Sequence, residues 1–140
     1  MKKNLLKELE EFVNGVLDIS GTIALENFRE IRDMTLKGDS SPVTKADMEI
    51  EQYIRTKILE KYPNHNIVGE ELDYVDGSEN VTWYIDPIDG TRSFVAGKHD
   101  FGTLLAIVIN EELIGGAIDC PALGERWTSF HPKHTKANQS

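Results

Sequence analysis

The sequence predicts an α+β fold, with N-terminal helices layered on a mainly antiparallel sheet. Apolar residues recur at helical spacing in the first part of the chain, whereas short alternating segments typical of strands follow in the second part. The later strands are joined by short connections, which favour antiparallel pairing of sequential strands. Helices that precede the strands, rather than alternate with them, indicate α+β rather than α/β.

Two amphipathic helices are predicted in the first part of the chain. The first includes Leu5, and Ser20-Gly21 is a weak point at which we expect a kink or a second helical piece. The second runs from Thr44 or Lys45 to residue 62, before Pro63. Between the helices, Gly-Asp and Ser-Pro turn signals predict a hairpin or a mobile loop over 33–43.

The second part of the chain predicts five strands and one short helical segment. The helical segment covers residues 92–96 and ends at Gly97. The polar stretch 131–140 has no periodicity and is expected to be disordered, so the folded domain spans 1–130. The predicted strands are Asn66–Val68, 81–85, 103–109, 113–119 and 126–130.

Charge and composition exclude several classes of function. The 140 residues include 15 Lys and Arg against 24 Asp and Glu, a formal net charge of −9, so no basic surface for nucleic acid is expected. A single cysteine, Cys120, excludes an internal disulfide and a Cys-rich zinc site. No apolar run is long enough for a bilayer or a signal-peptide core. We expect a soluble, cytoplasmic protein with no membrane partner.

Carboxylates at the ends of predicted strands indicate a metal site. Asp86 and Asp89 follow one apolar segment, and Glu70 follows another. If these groups face one cavity, their repulsion would raise at least one pKa unless a cation neutralises them. Magnesium favours oxygen ligands of this kind. Gly90 and Thr91 would begin a helix whose free amides can hold phosphate oxygens.

Simpler interpretations of the same residues remain open at this point. Asp-Pro and Asp-Gly are common turn formers, so the segment 86–91 is also consistent with a plain connection. Thr44 and Asp47 have the spacing of a helix-capping pair. Three familiar sites fit worse: the acidic spacing differs from an EF-hand loop, no Gly-rich loop ends in Lys-Ser or Lys-Thr, and no serine lies in a nucleophile elbow.

Three motifs together resemble the inositol monophosphatase family of magnesium-dependent, lithium-sensitive phosphatases. They are Val-Thr-Lys-Ala-Asp at 43–47, Gly-Glu-Glu at 69–71 and Trp-Tyr-Ile-Asp-Pro-Ile-Asp-Gly-Thr-Arg-Ser-Phe at 83–94. Their order and spacing match the family over residues 1–130. The stretches 101–106 and 118–127 are more similar to the histidinol-phosphatase branch than to the inositol branch.

The resemblance implies two magnesium ions as cofactors. The first would be bound by Glu70, Asp86 and the backbone carbonyl of Ile88. The second would be bound by Asp86 and Asp89, so that Asp86 bridges the two ions. The implied reaction is hydrolysis of a phosphate monoester by metal-activated water.

The resemblance also implies catalytic and phosphate-binding residues. Thr91, hydrogen-bonded to Asp47, would help Glu70 to orient and deprotonate the attacking water. The amides of Gly90 and Thr91 would hold the phosphate. The substrate would be a small phosphorylated metabolite, of the inositol monophosphate or histidinol phosphate class, and the protein is expected to be a homodimer.

One family motif is missing from the sequence. Family members are nearly twice as long, and their second half carries a Trp-Asp-x-Ala motif whose aspartate completes the second metal site. Nothing in this sequence matches that motif, so we expect the N-terminal half of the fold, without the C-terminal α/β half and with impaired turnover. Two alternatives remain: a non-catalytic relic or interaction protein with a partial metal site, and a phosphatase for sulfated nucleotides or sugar bisphosphates.

Overall fold

The predicted α+β architecture is confirmed. The computed structural model describes residues 3–33, 41–131 and 134–139. In these ranges, three helices accompany a six-stranded sheet. The elements are α1 (Lys3–Asp33), α2 (Ser41–Lys61), β1 (Asn66–Val68), β2 (Val81–Asp89), α3 (Thr91–Val95), β3 (Gly102–Ile109), β4 (Glu112–Cys120), β5 (Glu125–His131) and β6 (His134–Gln139).

The sheet is mainly antiparallel, with one parallel pair at its edge. The strands lie in chain order from β1 to β6. All neighbours from β2 to β6 pair antiparallel, whereas β1 pairs parallel with β2. The parallel register sets Val68 opposite Tyr84. Both strands therefore run toward the same end of the sheet, where β1 stops and β2 continues to Asp89.

The core lies between the sheet and the two long helices. Alternate residues of the central strands face this core, as the pleat of a half-covered sheet requires. Trp83 is fully buried, and its indole N–H donates to Nδ1 of His65 at 2.9 Å. The other face of the sheet keeps Tyr84, Ile118 and Trp127 exposed. The most deeply buried apolar side chains include Leu9, Leu17, Ile50, Ile54, Ile58, Ile67, Leu105 and Ile107.

Arg126 ties the first helix to the far end of the sheet. Its guanidinium donates to Asp119 at 2.8 Å, and to Asp18 of α1 at 2.9 Å. The same group donates to the carbonyl of Asn14 at 3.2 Å. Burial raises the pKa of Asp119, while the hydrogen bond and the charge of Arg126 oppose that rise. The charge of Arg126 therefore offsets the desolvation of the Asp119 carboxylate between helix and sheet.

The second helical piece expected after Ser20-Gly21 is wrong, because α1 continues through these residues to Asp33, whereas a kink at this point stays a prediction. The Ser20 hydroxyl donates to the Leu17 carbonyl at 3.4 Å, which is compatible with a continuing helix. A Cβ on Gly21 would lie 3.1 Å from Oδ2 of Asp119. The glycine thus serves close packing of α1 against the end of β4.

The second helix begins earlier than predicted, and this removes the capping interpretation of Asp47. Since α2 starts at Ser41, Thr44 is inside the helix and Asp47 lies in its second turn, not its first. Pro42 suits the first turn, because backbone N–H groups there have no acceptor within the helix and proline's lack of an N–H costs no hydrogen bond. The hairpin or loop expected over 33–43 is wrong for 41–43, and 34–40 lie outside the described residues.

The polar tail is not disordered where the structure describes it. Residues 134–139 form β6, which pairs with β5 in a register that sets Trp127 opposite Ala137. The backbone ladder does not depend on apolar side chains, and β5 would otherwise present an unpaired edge. Periodicity therefore failed here because an edge strand can be polar throughout.

No described helix is both long enough and apolar enough to cross a membrane.

The turn between β3 and β4 allows a stability prediction. Asn110 and Glu111 both have positive φ, 50° and 70°, the conformation of a two-residue type I′ hairpin. Because this region strains a residue with a Cβ, Glu111→Gly is expected to raise the free energy of unfolding by about 0.5–1 kcal/mol in urea titrations. As a control, Glu112→Gly in β4 should lower it. A decrease for Glu111→Gly would contradict the prediction.

Candidate functional site

The parallel pairing of β1 and β2 brings two predicted ligands together. Because the strands are parallel and Val68 lies opposite Tyr84, Glu70 just after β1 and Asp86 within β2 lie at the same end of the two strands. Their carboxyl groups are hydrogen-bonded to each other. Two carboxylates can share such a bond only if one carries a proton, which a cation would displace.

A break in the β2–β3 register shapes the segment after Asp86. Regular pairing stops at Asp86 and resumes at Asp89. Within the break, the Thr103 hydroxyl donates to the Pro87 carbonyl at 2.9 Å, while the Ile88 N–H donates to the Asp86 carboxylate. Oδ1 of Asp86 is buried and has no hydrogen-bond partner among the described residues. The break in register therefore leaves Oδ1 of Asp86 buried without a hydrogen-bond donor.

Asp47 lies near the same carboxylates from the side of α2. Its Oδ1 is also buried and without a hydrogen-bond partner in the described part of the chain. The pKa of Asp47 is raised from 3.8 to about 7, first by burial and then by the negative charges of Glu71, Glu70 and Asp86. A buried carboxylate oxygen without a hydrogen-bond partner costs free energy unless a group from outside the chain binds it.

The electrostatics of the cluster favour a bound cation. Burial and then the charge of Asp86 raise the pKa of Glu70, and every contribution to it acts in that direction. Burial and the charge of Asp89 raise the pKa of Asp86, while hydrogen bonds from Glu70 and Ile88 lower it. These carboxylates thus resist full ionisation together, the condition that a divalent ion relieves.

The segment after Asp89 turns into α3 at a glycine. Gly90 precedes the helix with φ of 84°, a left-handed conformation that strains residues with a Cβ. The first amides of α3 have no partner within the helix. Phe94 is buried, with its ring 4.8 Å from that of Phe101 and 5.7 Å from that of Phe28. These contacts fix the position of α3 relative to Asp89.

The predicted hydrogen bond between Thr91 and Asp47 is wrong in this structure. The Thr91 hydroxyl instead donates to the Ile88 carbonyl at 3.4 Å. Ile88 and Thr91 are three residues apart across the start of α3, so the local partner is within reach without any closure of the site. The carbonyl expected to bind metal is thus engaged by a long, weak hydrogen bond.

The donor types in the cluster suit magnesium. All are oxygens, and the two unpartnered ones on Asp47 and Asp86 are buried and have acidic neighbours. Over residues 3–33, 41–131 and 134–139, however, no group of three or more His, Cys, Asp or Glu side chains is arranged to hold an ion. In this structure Glu70 is instead hydrogen-bonded to Asp86.

An open pocket of about 520 Å³ adjoins the carboxylates. Glu70 and Asp86 are its acidic lining residues, and the rest comes mainly from apolar positions of β2, β3 and β4. Tyr84 and Ile118, both about half exposed, belong to this lining. The pocket has room for a small molecule next to the carboxylates.

Sequence reasoning missed two residues that support the site. Glu51 and Arg55 are buried on α2 and form an ion pair of 2.9 Å. Glu51 accepts the backbone N–H groups of Glu70, Glu71 and Leu72. A usable signal was present, because a Glu and an Arg four residues apart interrupt the apolar stripe of Ile50, Ile54 and Ile58.

Comparison with known proteins decides the family. A model of the inositol monophosphatase family matches residues 5–139. The chain belongs to the inositol monophosphatase family. It is 40% identical over 136 residues to the chloroplastic bifunctional phosphatase IMPL2 of Arabidopsis thaliana, an alignment that covers 94% of this chain and 39% of the relative. It is 39% identical over 107 residues to a histidinol-phosphatase of Chlorobaculum parvum, covering 76% and 41% of the two chains.

A solved member of the inositol monophosphatase family has the same fold. The inositol monophosphatase of Zymomonas mobilis is 33% identical, with a TM-score of 0.76 over 95% of this chain and 51% of that one. The chain therefore spans about half the length of this structure, and less than half of both curated relatives.

Proposed function

We propose that this protein takes part in magnesium-dependent hydrolysis of a small phosphate monoester. The observation that carries the proposal is the pair of buried carboxylate oxygens, on Asp47 and Asp86, that have no partner in the described residues. They lie with Glu70 in a cluster whose pKa values are all raised, at the edge of an open pocket. Membership of a phosphatase family supports the same reaction class.

The chain would hold two ions with residues from the ends of β1 and β2. For the first we propose Glu70, Asp86 and the carbonyl of Ile88, and for the second Asp86 and Asp89. When bound, magnesium supplies Lewis-acid polarisation of phosphate oxygens and lowers the pKa of water. For the second ion, the family resemblance implies a further aspartate from a Trp-Asp-x-Ala motif, which these 140 residues do not contain.

The remaining residues would bind phosphate and move a proton. The amides of Gly90 and Thr91, at the start of α3, are proposed to donate to phosphate oxygens. Glu70 would accept the proton of the attacking water, with Thr91 and Asp47 assisting. Since the Thr91 hydroxyl donates to Ile88 in this structure, its part in catalysis requires that it exchange this weak bond for the water.

For the substrate we propose the histidinol phosphate or inositol monophosphate class. Similar proteins carry the names histidinol-phosphatase in Chlorobaculum parvum and inositol-1-monophosphatase in Rhizobium meliloti. The first is the more similar in sequence, at 39% against 29% identity. We therefore place histidinol phosphate first. A cytoplasmic homodimer remains our prediction, to be checked by sedimentation and by cell fractionation.

A second candidate is a binding or interaction protein that retains a partial metal site. It is favoured by the finding that no three acidic, His or Cys groups of the described ranges are arranged to hold an ion. This candidate predicts metal binding without turnover. The two candidate functions thus differ in whether the metal-bound protein releases phosphate from a substrate.

Phosphate release with and without magnesium tests the proposal. Histidinol phosphate, inositol monophosphate and adenosine bisphosphate should be compared at equal concentration, with chelator as the control. Faster magnesium-dependent release from histidinol phosphate is the expected result. Absence of release from all three, in protein that binds metal, would support the interaction protein instead.

A further inference from the structure

Glu51 is a buried carboxylate that the proposed chemistry does not use. It lies on α2 with no exposed surface. Its Oε1 accepts the N–H groups of Glu70 and Glu71, both at 2.9 Å. Its Oε2 accepts the N–H of Leu72 at 2.9 Å and the Nε–H of Arg55 at 2.9 Å. Four donors thus converge on one side chain, three of them consecutive backbone amides.

Packing of the core alone does not require four hydrogen-bond donors on the Glu51 carboxylate. An ion pair in a core is often no more stabilising than apolar residues of the same volume, because desolvation of both charges offsets their attraction. The three hydrogen bonds from backbone amides instead have a geometric effect, because they attach the loop after β1 to the Glu51 carboxylate. Arg55 adds a second tie, since its guanidinium also donates to the Leu72 carbonyl at 2.8 Å. The direction of the loop is therefore set from α2.

Gly69 shows how closely the loop approaches this carboxylate. A Cβ at Gly69 would overlap the carboxylate of Glu51. The Glu70 side chain that follows is exposed, and it is hydrogen-bonded to Asp86. An exposed side chain takes its direction largely from its own backbone. Here Glu51 holds that backbone.

We propose that Glu51 is a positioning residue, which aims the Glu70 carboxylate at Asp86 by binding the amides of residues 70–72. The inference rests on the proposed function in one respect, that Glu70 is a metal ligand. Arg55 balances the charge of Glu51 and ties the end of the same loop. Glu51 itself does not touch metal or substrate.

Metal affinity measures this role directly. Mn²⁺ alone serves as the probe, and the bound fraction is followed by its electron paramagnetic resonance signal. Glu51→Gln keeps the shape but turns an amide group toward backbone donors, so Mn²⁺ should bind about 10–100-fold more weakly. Glu60→Gln is the matched control, because Glu60 is an exposed carboxylate on the same helix that pairs with Lys57 at the surface. The affinity of the Glu60→Gln variant for Mn²⁺ should equal that of the unsubstituted protein.

A double-mutant cycle separates positioning from general loss of stability. Gly69→Ala displaces the same loop without changing any charge, and should weaken Mn²⁺ binding in the same range. Because both changes break one contact, the double variant should lose little more affinity than either single variant. Additive losses, or a folded Glu51→Gln protein with unchanged affinity, would overturn the proposal.

Hydrogen exchange keeps the proposal testable if Glu51→Gln does not fold. In the unsubstituted protein, the amides of residues 70–72 should exchange far more slowly than the amide of Ser78 in the exposed loop. Equal rates would overturn the proposal. If these amides are protected but the protein binds no Mn²⁺, the proposed function fails while the hold of Glu51 on the loop is supported.

Discussion

Asp86→Asn is expected to abolish magnesium-dependent phosphate release and to weaken Mn²⁺ binding by at least about 100-fold. Asp86 is the proposed ligand of both ions, and its buried Oδ1 is free to bind a cation. Asparagine preserves the shape but removes the charge. Phosphate assays and Mn²⁺ titration measure the two effects. Asp76→Asn, a substitution in the exposed loop, should change neither.

The same substitution should stabilise the protein when metal is absent. Burial and the charge of Asp89 raise the pKa of Asp86, which means that its ionised form opposes folding. Removing the charge should therefore raise the free energy of unfolding at neutral pH in chelator. A more stable but inactive variant separates a role in the site from simple unfolding. Retained Mn²⁺ affinity in Asp86→Asn would contradict the proposed ligand set.

Without metal, the free energy of unfolding should fall as the pH rises from about 4 to about 7. Folding raises the pKa of Asp47 from 3.8 to about 7, so the folded protein binds this proton more tightly than the unfolded chain does. The resulting stabilisation is fully present below the unfolded pKa and is lost as the pH passes the folded one. We expect an effect on the order of 2 kcal/mol, allowing for solvent near the half-buried carboxyl.

Asp47→Asn isolates this contribution. Urea titrations across the same pH range should show a smaller decrease for the variant, because asparagine does not titrate. The difference between the two curves reports Asp47 together with its coupling to Glu71, Glu70 and Asp86, because carboxylates that do not interact with Asp47 change stability equally in both proteins. Parallel curves would show that Asp47 titrates normally. Saturating Mn²⁺ should also reduce the decrease in the unsubstituted protein, since a cation stabilises the ionised cluster.

Local patterns predicted the elements whose residues alternate or repeat regularly. The strand at Asn66–Val68 is confirmed with its predicted bounds, and β2 extends four residues past the predicted 81–85. Periodicity carried no information on pairing direction, so the parallel β1–β2 pair was not anticipated. It also missed β6, because the backbone ladder holds a polar edge strand.

The candidate site was predictable where a motif identifies individual carboxylates. Glu70 and Asp86 are in contact as the motifs implied. Two features depended on tertiary geometry instead. The start of α2 at Ser41 decides which turn holds Asp47, and the reach of the Thr91 hydroxyl decides its partner. Glu51 was missed because a charged residue within a helix normally indicates a solvated face.

The parallel edge pair makes the site depend on the smallest strand in the sheet. β1 has three residues; besides β2 it is held by a bridge between Ile67 and Val75, and the amides that follow it donate to Glu51. Detachment of β1 together with the loop after it would carry Glu70 away from Asp86 and leave the antiparallel strands paired. Opening of this edge and disassembly of the site are thus one event. Any ligand that joins Glu70 to Asp86 would also fasten the edge of the sheet.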